Sequence, residues 1–99
     1  MKDPFVFIST VRLLPHGQGL YYVVEVPKTS SQNIRHTYGV SARGFGSVPV
    51  LVRIGITQWR TSIFPDRRSQ TYLLLLNKKV RKSEAIKEGD EISIQLELQ

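Results

Sequence analysis

Cysteine is absent from the 99 residues. This excludes a disulfide framework, a thiolate nucleophile, zinc knuckles and iron–sulfur ligation. Histidine is scarce. His16 and His36 stand alone and twenty residues apart, so the sequence predicts no metal site and no cofactor. Long apolar runs are missing too, and nothing approaches the roughly eighteen residues of a membrane span. The N-terminal stretch carries Asp3 and Pro4 where a secretory signal has bases followed by an apolar segment. The expectation is a soluble, cytoplasmic protein with no membrane partner. Two hydrophobic cores do not fit in this length, so one domain over residues 1–99 is expected.

Acid is the other shortage. Fourteen Lys and Arg face eight Asp and Glu, for a net charge of +6. The imbalance is uneven. Residues 1–83 hold thirteen bases and three acids, whereas residues 84–99 hold one base and five acids. A basic body admits an anionic ligand or nucleic acid as partner, by counterion release. An ordinary solvated face gives the same totals.

What is present reads as short strands. Residues 5–13 alternate, with Phe5, Phe7, Val11 and Leu13 on one face. Residues 14–19 form a Pro- and Gly-containing loop, and residues 20–26 a second strand. Thr29 and Gln32 have capping-box spacing ahead of Ile34 and Tyr38, which predicts a helix of about two turns ending at Gly39. Residues 41–47 are a connector. Residues 48–54 and 57–64 form a hairpin about Gly55, with Pro49 near the start of its first strand. Pro65 opens a polar turn. Residues 71–76, with four successive Leu, read as a strand buried on both faces. Asn77 caps a short helix. Gly89-Asp90 is a turn, and residues 91–98 alternate without a break. The sum is a mainly β chain: a small closed or partly open six-stranded β-barrel with two short helices.

Motifs for catalysis are thin, and no catalytic residue is expected. Arg60-Thr61-Ser62 lacks a nucleophile elbow, and neither His is placed to serve as base. Arg43-Gly44-Phe45-Gly46 lacks the Gly-Lys-Ser/Thr ending of a phosphate loop, although Gly amides beside Arg43 suit weak anion contact. Gly89-Asp90 is a structural turn: Gly supplies positive φ, and the carboxylate accepts otherwise unpaired amides. The densest bases are Lys78, Lys79, Arg81 and Lys82 on the second helix, with Arg67-Arg68 in the preceding turn. The strand between these groups holds them about 20 Å apart. Tyr21 suits base stacking only where it faces outward.

A resemblance emerges from the longer patterns. Residues 43–50 read Arg-Gly-x-Gly-x-Val-Pro-Val, 59–65 Trp-Arg-Thr-Ser-Ile-Phe-Pro and 78–82 Lys-x-Val-Arg-Lys. Residues 86–97 read Ile-x-x-Gly-Asp-x-Ile-x-Ile-x-Leu-Glu. Together with Ile54-Gly55 and residues 72–74, these closely resemble the bacterial domain-of-unknown-function family numbered nineteen-oh-five, and residues 22–27 match its N-terminal half more loosely. The resemblance implies a small β-barrel, grouped with other small barrels that include antitoxin-like proteins and in some chains fused to a bacteriocin-protection domain. Here, 99 residues leave no room for that second domain. The resemblance carries no established activity.

Three functional classes stay open. The first is a non-catalytic binding or accessory module, monomeric or homodimeric, contacting an anion through Arg43, Arg60, Lys79 and Arg81. The second is a nucleic-acid-binding or antitoxin-like regulator. The third is a hydrolase-like or metal-dependent enzyme.

Overall fold

The computed structural model describes residues 4–38 and 46–99. Seven strands and two helices follow the order β1 (Phe5–Thr10), β2 (Arg12–His16), β3 (Gly19–Glu25), α1 (Lys28–Tyr38), β4 (Val48–Ile54), β5 (Thr57–Asp66), β6 (Thr71–Leu75), α2 (Lys78–Ser83) and β7 (Glu91–Leu98). All pairings are antiparallel, in the order β1-β7-β4-β5-β6-β3-β2. The two edge strands are consecutive in the chain, with Val11 alone between them. The sheet therefore curls until its edges meet, and the Ser9 hydroxyl donates to the Glu25 carbonyl across the seam (2.9 Å). This is a mainly β, partly open barrel.

Two places change partners and divide the barrel wall into two sheets. β5 pairs with β4 through Thr57 to Ile63, then with β6 through Phe64 to Asp66. The β1–β2 segment pairs first with β7 and then with β3. This second exchange accounts for seven strands where six are expected. At Val11 the backbone leaves both partners. Its N–H donates to the Asp90 carbonyl and its own carbonyl accepts from the Gly89 N–H, both at 2.8 Å. The turn at residues 89–90 thus fills the gap in the ladder. Gly89 sits at φ +92°, and the Asp90 carboxylate accepts from the Lys87 N–H (2.8 Å).

Three local expectations are corrected. The 14–19 loop shrinks to a two-residue turn because β2 runs on through Pro15 to His16, opposite Gly19. Pro15 is tolerated there because β2 is an edge strand. The capping box does not form: α1 begins at Lys28, so Thr29 lies inside it, and eleven residues make about three turns. Ser31 turns instead toward the sheet, donating to the Val26 carbonyl (3.0 Å) and accepting from the Tyr72 N–H (3.1 Å). Pro65 does not end its strand; β5 continues to Asp66 and the turn starts at Arg67. Gly39 and residues 41–45, hence the predicted helix stop and much of the connector, lie outside the described residues.

The core lines the inside of the curl. Val24, Ile34, Val50, Ile63, Leu74, Ile94 and Leu96 are fully buried. The helices close opposite ends of β6: α1 through Ser31 and Ile34 beside Tyr72, and α2 through Val80 beyond Leu76. The β4–β5 hairpin turns at Gly55, whose φ of +60° suits the first position of a type II′ turn. The end of α2 is clasped to this hairpin, with Thr57 Oγ1 donating to Glu84 Oε2 at 2.5 Å.

Candidate functional site: a groove at the second helix

Where β5 leaves β6, the barrel wall parts. The pairing of β5 with β6 starts only at Phe64, so the preceding residues of β5 diverge from the end of β6. A groove of about 250 Å³ opens there. One side is Thr61 of β5; the floor and far side are Leu20, Tyr21 and Tyr22 of β3 with Leu75 and Leu76; Asn77 and Arg81 close the top. None of these eight residues is an acid.

Arg81 is the charged member, and it is held from several directions. The Asn77 side chain accepts from the Val80 N–H (2.9 Å), starting α2 at a fixed point. Val80 is buried and anchors the helix to the core. The Arg81 N–H then donates to the Asn77 carbonyl (3.0 Å), and its Nε donates to the Leu76 carbonyl (3.1 Å). Its guanidinium carbon lies 3.8 Å from the centre of the Tyr22 ring, a cation–π contact. Backbone, carbonyl and ring set the guanidinium plane and leave its two Nη groups as donors. The Asn77 amide oxygen is committed to the helix cap, so its NH2 group is a further donor at the same rim. Thr61, Tyr21 and Tyr22 add hydroxyls. The Tyr21 ring is stacked on His16, with centroids 5.1 Å apart, which holds it at the rim.

Of the four residues expected to contact an anion, the three that are described separate in space. Arg81 lines the groove. Arg60 is exposed on β5 opposite Leu51 of β4, and alternation turns it away from the Thr61 face. Lys79 is exposed on α2; it and Arg81 flank buried Val80, and two helical positions rotate a side chain by about 200°. Arg43 lies outside the described residues. Gly89 and Asp90 belong to the seam described above. Sequence reasoning missed Tyr22, Thr61 and Asn77 as groove residues. The signal for Tyr22 was the adjacent Tyr pair, which alternation divides between the two faces of β3.

Ser62 stands opposite Pro49 on the outer face beside Arg60. Among the described residues, no group of three or more His, Asp or Glu side chains is arranged to hold a metal ion. Among those same residues, no helix is long and apolar enough to cross a membrane. Among the described residues, the carboxyl clearly shifted downward is Asp66. The Ser69 hydroxyl (2.7 Å) contributes most, and backbone amides and the Arg12 guanidinium add to it.

Comparison with curated proteins gives no match. The family model for a domain of unknown function, DUF1905, matches residues 7–96. That span takes in both sheets, both helices and every residue of the groove, and the chain belongs to this family.

Proposed function

We propose that the protein is a non-catalytic binding module whose groove holds an anionic group against Arg81. One observation carries this reading: a guanidinium fixed by the Leu76 carbonyl and the Tyr22 ring stands in a groove with several hydrogen-bond donors and no acid. A guanidinium presents paired N–H groups in one plane, which match two oxygens of a carboxylate or phosphate. Because the side chain is already ordered, little rotamer freedom is lost on binding.

Size limits the ligand. Pockets that enclose a whole drug-sized molecule run from about 300 to 1,000 Å³. At about 250 Å³ and open on one side, this groove takes an anionic head, and the rest of the ligand lies outside along Tyr21 and Leu75.

The test is calorimetric titration with inorganic phosphate and with benzoate at low salt. Saturable binding that disappears in Arg81→Gln and persists in Lys79→Gln supports the reading. Equal heats for the parent and Arg81→Gln overturn it.

A further inference from the structure

The outer face of the second sheet has features that a soluble barrel wall does not need. Register places Val23 opposite Leu75 and Leu73 opposite Phe64, with Tyr21 two residues before Val23, so all five share that face. Val23 and Leu73 are buried, yet neither belongs to the cluster that fills the barrel. They form a separate apolar floor. At its two ends stand Tyr21 and Phe64, each 42% exposed. Four residues along β3 and two strand spacings across put these rings about 16 Å apart.

The charge around this floor is positive. Arg12 stands opposite Val23 on the same face, Arg67 and Arg68 follow in the turn after β5, and Arg81 closes the groove that Tyr21 and Leu75 also line. The two acids on the face are engaged. Glu25 accepts from the Thr71 hydroxyl (3.0 Å), and Asp66 accepts from Ser69 with Arg12 nearby. Exposed rings over an apolar floor, with arginines at both ends, match a chain that alternates flat bases with phosphates. A duplex hides its base faces, and an acidic peptide offers nothing to stack.

We infer that this face is a binding track for single-stranded nucleic acid, with Tyr21 and Phe64 as stacking platforms and the Arg81 groove taking a phosphate at one end. The track rests on the anion reading of the groove only at that end.

The probe is a fluorescein-labelled oligothymidylate of about 12 nucleotides, within the usual span for small single-strand-binding barrels, followed by anisotropy in a salt series. Binding is expected at low salt and falls steeply as salt rises. Tyr21→Ala and Phe64→Ala each weaken it about 5- to 150-fold, the range for loss of one stacked base. Tyr21→Phe keeps the ring and retains binding, and circular dichroism confirms that each variant is folded. Equal affinity of both alanine variants and the parent overturns the track, as does preference for duplex or for heparin, which has no bases. Ring-dependent oligonucleotide binding without any response to inorganic phosphate keeps the track and removes the groove reading. Phosphate binding at Arg81 without oligonucleotide binding does the reverse.

Discussion

β7 and β6 are both interior strands of the barrel wall, each paired on two sides. They treat water differently. In β7, Ile92, Ile94, Leu96 and Leu98 face the core, while Glu91, Ser93 and Gln95 are exposed on the other side. In β6 the inner face is Tyr72 and Leu74, continued past the strand's end by Leu76, and the outer face carries Leu73 and Leu75. A barrel wall needs one apolar face. β7 supplies that and no more. β6 also makes the second sheet apolar on its outer side, where β3 adds Val23 and Tyr21 and β5 adds Phe64. Removing these side chains from water by mutual contact gives some stability, but Tyr21 and Phe64 remain 42% exposed. The difference locates one surface on which the chain has more apolar area than its own fold consumes; Val6 and Ile8 of β1 are also exposed, but among the described residues no arginine-flanked ring pair accompanies them.

The largest expected effect separates the two faces of β6. Leu74→Ala removes a fully buried core side chain and costs about 2–5 kcal/mol in chemical denaturation. Leu75→Ala, on the half-buried outer face, costs less than about 1.5 kcal/mol. Equal costs for the two would break the distinction between core and outer floor.

The clasp between α2 and the β4–β5 hairpin comes next. A Cβ at Gly55 meets the Glu84 carboxylate, and φ there is +60°. Gly55→Ala therefore destabilises by more than about 1 kcal/mol. Adding Glu84→Ala relieves the clash and leaves the backbone cost, so the pair is non-additive in a double-mutant cycle.

Asn77→Ala removes the cap of α2 and costs about 1 kcal/mol in thermal or denaturant unfolding. It also loosens the turn that carries Arg81, so phosphate binding weakens while Lys79→Gln leaves it unchanged.

The smallest effect is acid dependence at Asp66. Its folded pKa is lowered, so its contribution to stability is present above the ordinary carboxylate pKa and is lost as pH falls through the lowered value. Asp66→Asn flattens that acid limb slightly in a pH series of melting temperatures. On the alkaline side, burial raises the Tyr72 pKa, and nearby Arg35 partly opposes this. Stability from Tyr72 is present below pH 10 and lost above it, and Tyr72→Phe removes that loss.

Much of this fold is legible in local pattern. The β4–β5 hairpin, the Asn77 cap and the alternation of β7 follow from residues adjacent in sequence. The run of four Leu correctly marks an interior strand. What escapes is set by distant partners. Phe7, Ser9, Val11 and Leu13 keep one alternation straight through the break, and nothing near Val11 signals that Gly89 and Asp90 take its backbone. Thr29 and Gln32 satisfy a local capping rule, but the sheet claims Ser31 and the helix starts earlier. The site is less legible than the fold. Arg81 stands out as one base among four neighbours. Its selection depends on the Tyr22 ring from β3 and on the parting of β5 from β6, both tertiary events. Lys79 and Arg60 share its charge but are turned elsewhere by helical and strand periodicity.

The most direct measurement is the Arg81 Nε–Hε signal in a proton–nitrogen NMR spectrum, followed as inorganic phosphate is added at low salt. A saturable shift of that signal, together with the Asn77 side-chain amide and without movement at Lys79, is the predicted result. An Arg81 signal that stays still while other lysines and arginines move in proportion to phosphate would contradict a built anion site.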